Sequence, residues 1–460
     1  MGQRRIPPWI FPPLAALAAY ANGLQGPFQF DDYNVIVMEP RVHSFAAWMG
    51  NLAAGIRPLL KATYLLNWSI SPNGPFSFHL FNLLLHAANA ALVFFLARSL
   101  ARRYSPAAEE AAEPFALAVA LIFALHPVQS EAVTYISGRS VSLAAFFYLA
   151  ALLAYINGDG AEPGMRWRVA SFILFLCAVA ARETALTLPA ALLLYETLAP
   201  GRADWRAIIK RQAAHWAILG ALAAVILSNK SYLYLLRYSF GIRSAAENIF
   251  SQIHGVPHIL SRLVLLNSLN IDPDLRTVTG PSAATFVLAA LPLALLIAAV
   301  FAIRKNPLFG FGIFWFYLQM LPSNSVIPRN DIANERHLYL PLLGLCIAAG
   351  ALAMQYRDRW RQRRRAVIYG SALVLCLLAA FTVRRNRAYA SEIALWEDTV
   401  QKSPLKARPH NNLGYAYYMA GRRGDAAREY RAALRYDPSF LNARRNLWRL
   451  ENDRGGARPS

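Results

Sequence analysis

Long apolar runs, separated by short polar linkers, recur along this chain from residue 9 to about residue 383. Each run approaches the roughly 20 residues that an α-helix needs to cross about 30 Å of hydrocarbon. The pattern therefore predicts an all-α, polytopic membrane bundle with about eleven spans. The predicted spans are residues 9–26, 78–100, 114–128, 131–157, 167–181, 184–199, 212–230, 281–303, 307–322, 337–355 and 366–383.

The linkers rich in Lys and Arg fall on every second loop of this pattern. They read "ARRY", "MRWR", "GRADWRAIIKR", "IRKN" and "QYRDRWRQRRR". They share a side with the N-terminal "MGQRR", which the positive-inside rule places in the cytoplasm. A multi-pass protein of the inner (cytoplasmic) membrane is therefore predicted, with the chain after residue 383 in the periplasm or its extracytoplasmic equivalent. The apolar segment 248–271 would break this alternation if it crossed, so we predict a re-entrant or interfacial helix there.

The C-terminal region, residues 384–460, carries a helical repeat. Residues 407–440 fit the roughly 34-residue tetratricopeptide pattern, with Gly414 and Ala426 as small contact residues and Pro438 closing the unit. Partial units precede and follow it, and we expect this short array to lean on the last membrane helix. We thus predict two parts, a transmembrane domain (1–383) and a repeat region (384–460) on the non-cytoplasmic side. The repeat region either holds a protein segment or simply caps the fold.

Composition and charge agree with a membrane protein, because 56% of the 460 residues are hydrophobic and only 16% are charged. A net charge of +21 would indicate nucleic acid in a soluble protein. Here the basic residues are placed on a membrane topology first, and we predict no nucleic-acid partner. Cys177, Cys346 and Cys376 lie inside apolar runs, so neither disulfides nor a zinc site is indicated.

Ionisable residues beside the apolar runs collect on the non-cytoplasmic side of the predicted topology. Such groups usually pair with one another or line a wet cavity, because leaving a charge near hydrocarbon is costly. Four loops contribute, and their convergence predicts a functional polar cavity. The candidates are Asp31, Asp32 and Arg57 in the first loop, His126, Glu131 and Arg139 in the second, Arg182 and Glu183 in the third, and Asp331, Glu335, Arg336 and His337 in the fourth.

This mixture of side chains suggests group transfer from a lipid phosphate. Arginine offers planar, permanently charged donors that suit phosphate oxygens, and a carboxylate facing them can act as a general base on a hydroxyl. The predicted phosphate-binding residues are Arg57, Arg139, Arg182 and Arg336, and the remaining site-lining candidates are His126, Glu131, Glu183, Glu335 and His337. We predict no required metal, because arginines can neutralise a phosphate; a divalent cation stays open, since Asp31, Asp32, His126 and Glu131 include suitable ligand types.

Five motifs give the chain a family resemblance. They are "FDDYNVI", "IRPLLKATYLLNWSISPNGPFSFHLFNLLLH", "HPVQSEAVTYISGRS", "ARETALTLP" and "NERHLYLPLLG", followed by the tetratricopeptide repeats. In this order the chain resembles the GT-C superfamily of polyprenol-dependent membrane glycosyltransferases, and in particular the transmembrane and tetratricopeptide-repeat O-mannosyltransferases and their bacterial relatives. The resemblance implies a GT-C type bundle and a polyprenyl-phosphate-linked sugar as donor.

The resemblance also implies roles for particular residues. The acidic pair of the first loop would supply the base that activates the acceptor hydroxyl, either Asp31 or Asp32, with a preference for Asp32. The Arg57–Pro58 step would contact the donor phosphate. The expected function is an inverting transfer of a hexose, such as mannose, to a Ser or Thr hydroxyl of a protein that the repeats hold, at the outer face of the membrane.

Three other functions remain open at this stage. The acceptor can be a glycan or a lipid instead of a protein. The chain can also be a non-catalytic membrane scaffold whose repeats recruit partners, although that leaves the clustered arginines and carboxylates unexplained. A transporter is the third alternative, but its substrate site would lie near the membrane midplane rather than at one face.

Overall fold

The computed structural model describes residues 6–52, 55–72, 74–105, 109–158, 164–199 and 204–452. Within these ranges the protein is helical and has no β-strand, which confirms the all-α prediction. The α-helices are α1 Phe11–Tyr20, α2 Phe45–Gly50, α3 Pro58–Ile70, α4 Phe76–Tyr104, α5 Glu109–Leu125, α6 Ser130–Val133, α7 Arg139–Asn157, α8 Met165–Ala181, α9 Leu188–Thr197, α10 Trp205–Ser228, α11 Lys230–Ile242, α12 Ala245–Ser261, α13 Ala283–Ala302, α14 Pro307–Met320, α15 Tyr339–Gln355, α16 Arg357–Gln362, α17 Arg364–Ala388, α18 Glu392–Lys402, α19 Ala407–Met419, α20 Arg423–Tyr436 and α21 Leu441–Asn452.

Each predicted span contains a helix, but the helices differ in length. Among the described residues, six helices are long and apolar enough to cross a membrane, and a seventh forms if α5 and the bent segment after it, which turns by 51°, count as one span. The remaining predicted spans form shorter helices, namely α1, α8, α9 and α14. The chain is therefore a helical membrane protein, as its apolar runs predict. The six long helices are Phe76–Tyr104, Ile136–Asn157, Trp205–Ser228, Ala283–Ala302, Glu335–Gln355 and Arg364–Ala388.

The bundle core lies between α4, α5, α7, α14 and α15, which share the largest cluster of buried apolar side chains. Small residues permit the closest contact in this core. Gly312 of α14 and Gly344 of α15 face each other, and a Cβ atom added at either would collide with the carbonyl oxygen of the other. Such close backbone approach is a common way for membrane helices to pack without a hydrophobic driving force between them.

The segment 248–271 folds as most of α12 followed by a short turn. Asn248 and Gln252 of α12 donate to the backbone carbonyls of Ser325 and Ile332, at 2.6 and 2.9 Å. These bonds attach α12 to the loop before α15. That α12 is re-entrant or interfacial stays a prediction.

The repeat region consists of α18 to α21, and α19 with α20 form the full unit. Gly414 packs directly on the ring of Tyr430, so that a Cβ atom there would lie 2.7 Å from the ring. The buried cluster of this region also contains Tyr135 and Ile271, which belong to loops of the transmembrane part. Because α17 continues to Ala388, the predicted boundary at residue 383 falls inside this helix. The array therefore packs on several loops of the bundle as well as on the last membrane helix.

Candidate functional site

A cavity of about 780 Å³ lies where the loops of the bundle meet the repeat region. Seven of the sequence-predicted residues line it, and they come from all four predicted loops. They are Asp31, Arg57, Glu131, Glu183, Asp331, Arg336 and His337. The structure thus brings together side chains that are as far apart as 306 positions in the chain, while the roles of these residues stay predictions.

The two adjacent aspartates lie in different surroundings. Asp32 is 1% exposed, and its carboxylate accepts hydrogen bonds from the backbone N–H of Gln29 (3.0 Å) and Ser137 (2.8 Å) and from the Ser137 hydroxyl. Burial raises the pKa of Asp32 to about 7. Asp31 instead lines the cavity, and its backbone N–H donates to the hydroxyl of Tyr135 at 3.0 Å. Both residues begin a short helical segment, where successive side chains point about 100° apart.

Arg57 and Glu183 form a two-point ion pair at the cavity. The Arg57 Nε and Nη2 atoms donate to the two carboxylate oxygens at 3.0 and 2.5 Å, and both side chains are about a quarter exposed. Burial raises the pKa of Glu183, but Arg57 and Arg182 together oppose it and hold that pKa below its usual range. A guanidinium has five N–H donors, so Arg57 keeps donors for a ligand. It also borders a second cavity of about 510 Å³, which Lys61 and Lys230 line.

Glu131 and Arg336 form a second carboxylate–arginine contact. Glu131 is 1% exposed and accepts from the backbone N–H of Arg336 at 2.9 Å, and the Arg336 Nε atom lies 3.6 Å from its other oxygen. Gly138 makes this loop compact, because a Cβ atom there would collide with the carbonyl oxygen of Glu131. The Arg336 side chain is 22% exposed and remains available to the cavity.

Arg182 and His337 both line a smaller cavity of about 30 Å³, which shares Arg336 with the main one. Arg182 is 6% exposed and donates to the Ser140 hydroxyl at 2.8 Å. It does not line the main cavity, so the structure does not place it where a donor phosphate would contact it directly. His337 borders both spaces.

Arg139 lies away from the cavity, in contrast to its predicted contact with the donor phosphate. It is 0% exposed, and its guanidinium donates to the side-chain oxygens of Asn82 (2.6 Å) and Asn67 (2.7 Å) and to the carbonyl oxygens of Thr63 and Phe78. These partners belong to α3 and α4, while Arg139 begins α7. Arg139 therefore joins three helices, and each of its three guanidinium nitrogens already donates to a protein oxygen.

His126 and Glu335 also lie outside the cavity lining. His126 accepts from the backbone N–H of Val128 and contacts the carbonyl oxygen of Leu263 at 3.2 Å, so it caps the bend after α5. Glu335 accepts from the backbone N–H of Asn270, and its carboxylate lies 3.8 Å from Arg385. Both side chains therefore hold loops together instead of lining the site.

Several cavity residues were not among the predicted ones. Arg329 lines the cavity, and no side chain within the described ranges makes an ion pair or hydrogen bond with its guanidinium. Arg408 of α19 also lines it and pairs with both Asp272 and Asp331. Arg329 carries a sequence signal, since it lies in the same polar loop as Arg336. Arg408 carries none, because a repeat sequence does not reveal which loop it packs against.

One wall of the cavity is apolar. It is built from the end of α10 and from α11, a helix that has no buried residue of its own. The side chains of this wall include Ile226, Leu227, Leu233, Leu236 and Ile242. The cavity therefore has both charged lining residues and an apolar wall.

The part of the chain that the structure describes contains no group of three or more His, Cys, Asp or Glu side chains that could hold a metal ion. The carboxylates that line the cavity are instead close to arginines, as in the pairs of Glu183 with Arg57 and of Glu131 with Arg336. Independence from a divalent cation stays a prediction.

A membrane helix bundle with a charged cavity closed by tetratricopeptide-like helices is thus the class of protein that the fold defines. No family model matches the chain. Among curated proteins, it is 24% identical to protein O-mannosyl-transferase Tmtc3 of Drosophila melanogaster, over 96% of this chain and 56% of that protein. It is also 24% identical to protein O-mannosyl-transferase TMTC1 of Homo sapiens (96% and 57%) and TMTC4 of Mus musculus (93% and 67%). The chain spans about half the length of most curated relatives it matches, and the resemblance that its motifs suggest is confirmed.

Proposed function

We propose that this protein is a membrane glycosyltransferase that moves a hexose, such as mannose, from a polyprenyl phosphate to a Ser or Thr hydroxyl of a protein. The observation that carries the proposal is the cavity itself, which combines the carboxylate of Asp31, four arginines and an apolar wall. The similarity to proteins named protein O-mannosyl-transferases supports the choice of sugar and acceptor.

The donor would lie between the apolar wall and the arginines. The end of α10 and α11 offer aliphatic side chains for the polyprenyl chain. Arg57, Arg329 and Arg336 would bind the phosphate, since guanidinium groups match phosphate oxygens in geometry and charge. Burial lowers the pKa of Arg329, and nearby Arg57 and Arg336 add to this although Glu183 opposes it. The positive charge concentrated there favours an anionic ligand.

Asp31 is the better candidate for the general base. Both oxygens of Asp32 already accept hydrogen bonds inside the protein, whereas Asp31 borders the cavity. In the proposed step the acceptor hydroxyl gives its proton to Asp31, and its oxygen attacks the anomeric carbon from the face opposite the phosphate. The bond from that carbon to the phosphate oxygen breaks, and the arginines stabilise the departing polyprenyl phosphate. The sugar changes its anomeric configuration once, so the reaction inverts.

The positive-inside pattern supports a matching orientation, with the N-terminus in the cytoplasm and the cavity and repeats on the outer side of the inner membrane. The acceptor segment would reach the cavity beside the repeat region, since Trp396 and Arg408 of α18 and α19 line it. We propose that the transfer needs no metal, because the arginines neutralise the phosphate.

The test is sugar transfer by purified, membrane-reconstituted protein from a polyprenyl-phosphate-linked mannose to a Ser/Thr-rich peptide. Asp31→Asn should lower the rate by about 100-fold or more, as loss of a general base does. Asp274→Asn, at an exposed aspartate, is the matched control and should transfer at the wild-type rate. Full activity of Asp31→Asn would refute the base assignment, and product on a glycan or lipid alone would refute the protein acceptor. The absence of transfer to any acceptor would favour the scaffold.

A further inference from the structure

Two residues other than glycine adopt a left-handed backbone in the described part of the chain, and both line the main cavity. They are Phe30, with a φ of 48°, and Arg57, with a φ of 51°. A side chain with a Cβ atom disfavours this conformation, so it persists only where the surroundings enforce it. Phe30 immediately precedes Asp31, and its backbone therefore sets the direction of the chain that presents this carboxylate.

The groups that hold the Phe30 loop come from the turn after α17 and from α18. The backbone N–H of Phe30 donates to the Glu392 carboxylate at 3.0 Å, and its ring meets Trp396 edge to face, with ring centroids 5.2 Å apart. The side-chain amide of Gln29 donates to the carbonyl oxygen of Tyr389 at 2.6 Å. The clamp on the loop is therefore built from residues 389–396.

The clamp reaches the candidate base through one further contact. Tyr135, whose hydroxyl accepts from the backbone N–H of Asp31, lies in the same buried cluster as Trp396 and Tyr389. Glu392 does not line the cavity, so its effect on the site must pass through the backbone of Phe30. A repeat region that only captured the acceptor would not need these bonds.

We propose that Glu392 and Trp396 are positioning residues of the transfer reaction, which hold Phe30 in its left-handed conformation and so direct Asp31 into the cavity. The inference rests on the proposed function, in which Asp31 is the base. The first helix of the repeat region is then part of the active-site framework. Its loss would impair the chemical step even when donor and acceptor still bind.

The first test is Glu392→Ala in the reconstituted assay, with kcat and KM measured separately. It should lower kcat by about 10- to 100-fold, as small displacements of catalytic groups do, with KM for donor and peptide changed by less than about twofold. Glu392→Gln keeps an acceptor oxygen for Phe30 and should retain kcat within about threefold. Glu397→Ala is the matched control, because Glu397 lies on the same helix but bonds to Tyr417 inside the repeat region.

The second test asks whether the effect passes through Phe30. Glycine adopts the left-handed conformation without a Cβ penalty. In a Phe30→Gly background, Glu392→Ala should therefore lower kcat by only about twofold or less. An equal loss of kcat in both backgrounds would overturn the inference. If Glu392→Ala yields too little folded protein, Trp396→Leu takes its place in the same cycle, and the same outcomes decide.

The two proposals fail in distinguishable ways. If Asp31→Asn is inactive while Glu392→Ala keeps the wild-type kcat, the positioning role is wrong and the proposed function stands. If Asp31→Asn is fully active, the base assignment itself is wrong. A fall in kcat for Glu392→Ala that Phe30→Gly suppresses supports both.

Discussion

Arg57 and Arg139 carry the same side chain and the same predicted role, but the structure gives them opposite surroundings. Arg57 is a quarter exposed at the cavity and shares a two-point ion pair with Glu183. Arg139 is 0% exposed, and its hydrogen bonds run to neutral oxygens of Asn82, Asn67 and the backbone. Arg57 faces a space that a ligand can enter, whereas Arg139 fills the space between three helices.

The comparison shows that hydrogen-bond partners, more than residue type, separate an arginine that has donors left for a ligand from one that only holds helices together. Only part of the Arg57 guanidinium is engaged by Glu183, so a phosphate can be added without removing a structural bond. The donors of Arg139 satisfy several buried acceptors at once. Loss of Arg57 should therefore impair binding and chemistry, and loss of Arg139 should impair folding.

The largest effect is expected for Arg139→Ala. It leaves the side-chain oxygens of Asn82 and Asn67 without the donor that Arg139 supplies. It also opens a cavity between α3, α4 and α7, and the two effects should cost about 3 kcal/mol or more of stability. We expect little monodisperse protein in detergent and a strongly lowered thermal midpoint. Arg139→Lys keeps the charge but not the planar donors, so its thermal midpoint should lie between those of the wild type and Arg139→Ala. A normal thermal midpoint together with lost binding of the lipid-linked sugar would show that Arg139 binds the donor substrate.

Arg57→Ala should show the reverse pattern. Its thermal midpoint should change little, whereas kcat/KM for the lipid-linked donor should fall by about 100- to 1,000-fold, because a donor that stabilises the leaving phosphate is gone. Arg57→Lys should lower kcat/KM by about tenfold, since one ammonium group cannot reproduce the planar arrangement of guanidinium donors. The control is Arg384→Ala, which removes an exposed arginine that contacts Asn267 away from the cavity. Unchanged kcat/KM in Arg57→Ala would remove this residue from the site.

The sequence locates the cavity because polar residues at the ends of apolar runs share one side of the bundle. The alternation of basic loops predicts the side of the membrane on which each loop lies. It therefore predicts the cavity residues Asp31, Arg57, Glu131, Glu183 and Arg336. The helical repeat is found for a related reason, because its small residues recur at fixed spacing.

The sequence cannot tell which side chain of a loop turns towards the cavity. Asp31 and Asp32 are neighbours, and one helical step of about 100° separates the carboxylate that lines the cavity from the buried one. Arg139 differs from Arg336 only in the acceptors that folding happens to bring near it. Arg408 lies in a repeat whose docking position depends on contacts with Asp272, over a hundred residues earlier in the chain.

Arg408 represents a third kind of surrounding, between those of Arg57 and Arg139. It is partly exposed and pairs with Asp272 and Asp331 across the junction between bundle and repeats. Burial raises the pKa of Asp272, but Arg408 and Lys406 oppose it by more and lower that pKa overall. Arg408→Ala should lower stability by about 1–2 kcal/mol, less than Arg139→Ala, because Lys406 still pairs with Asp272. The loss of stability should appear as faster proteolysis near residues 403–407. Unchanged proteolysis would show that the junction does not depend on the pairing of Arg408 with Asp272 and Asp331.

The last expected effect is a slope with pH rather than a loss at one fixed pH, and it comes from Asp32. Burial raises the pKa of this carboxyl from 3.8 to about 7 in the folded protein. The folded state therefore holds a proton that the unfolded state has lost, and this contribution to stability declines as the pH rises from about 4 through 7. Asp32→Asn has no titrating group at this position. Its amide lies near the Gln29 N–H and lowers stability by an amount that does not change with pH. The thermal midpoint of the wild type in detergent should thus fall more steeply between pH 5 and pH 8 than that of Asp32→Asn. Parallel curves for the two proteins would mean that Asp32 is ionised throughout this range and is not shielded from solvent by the loop.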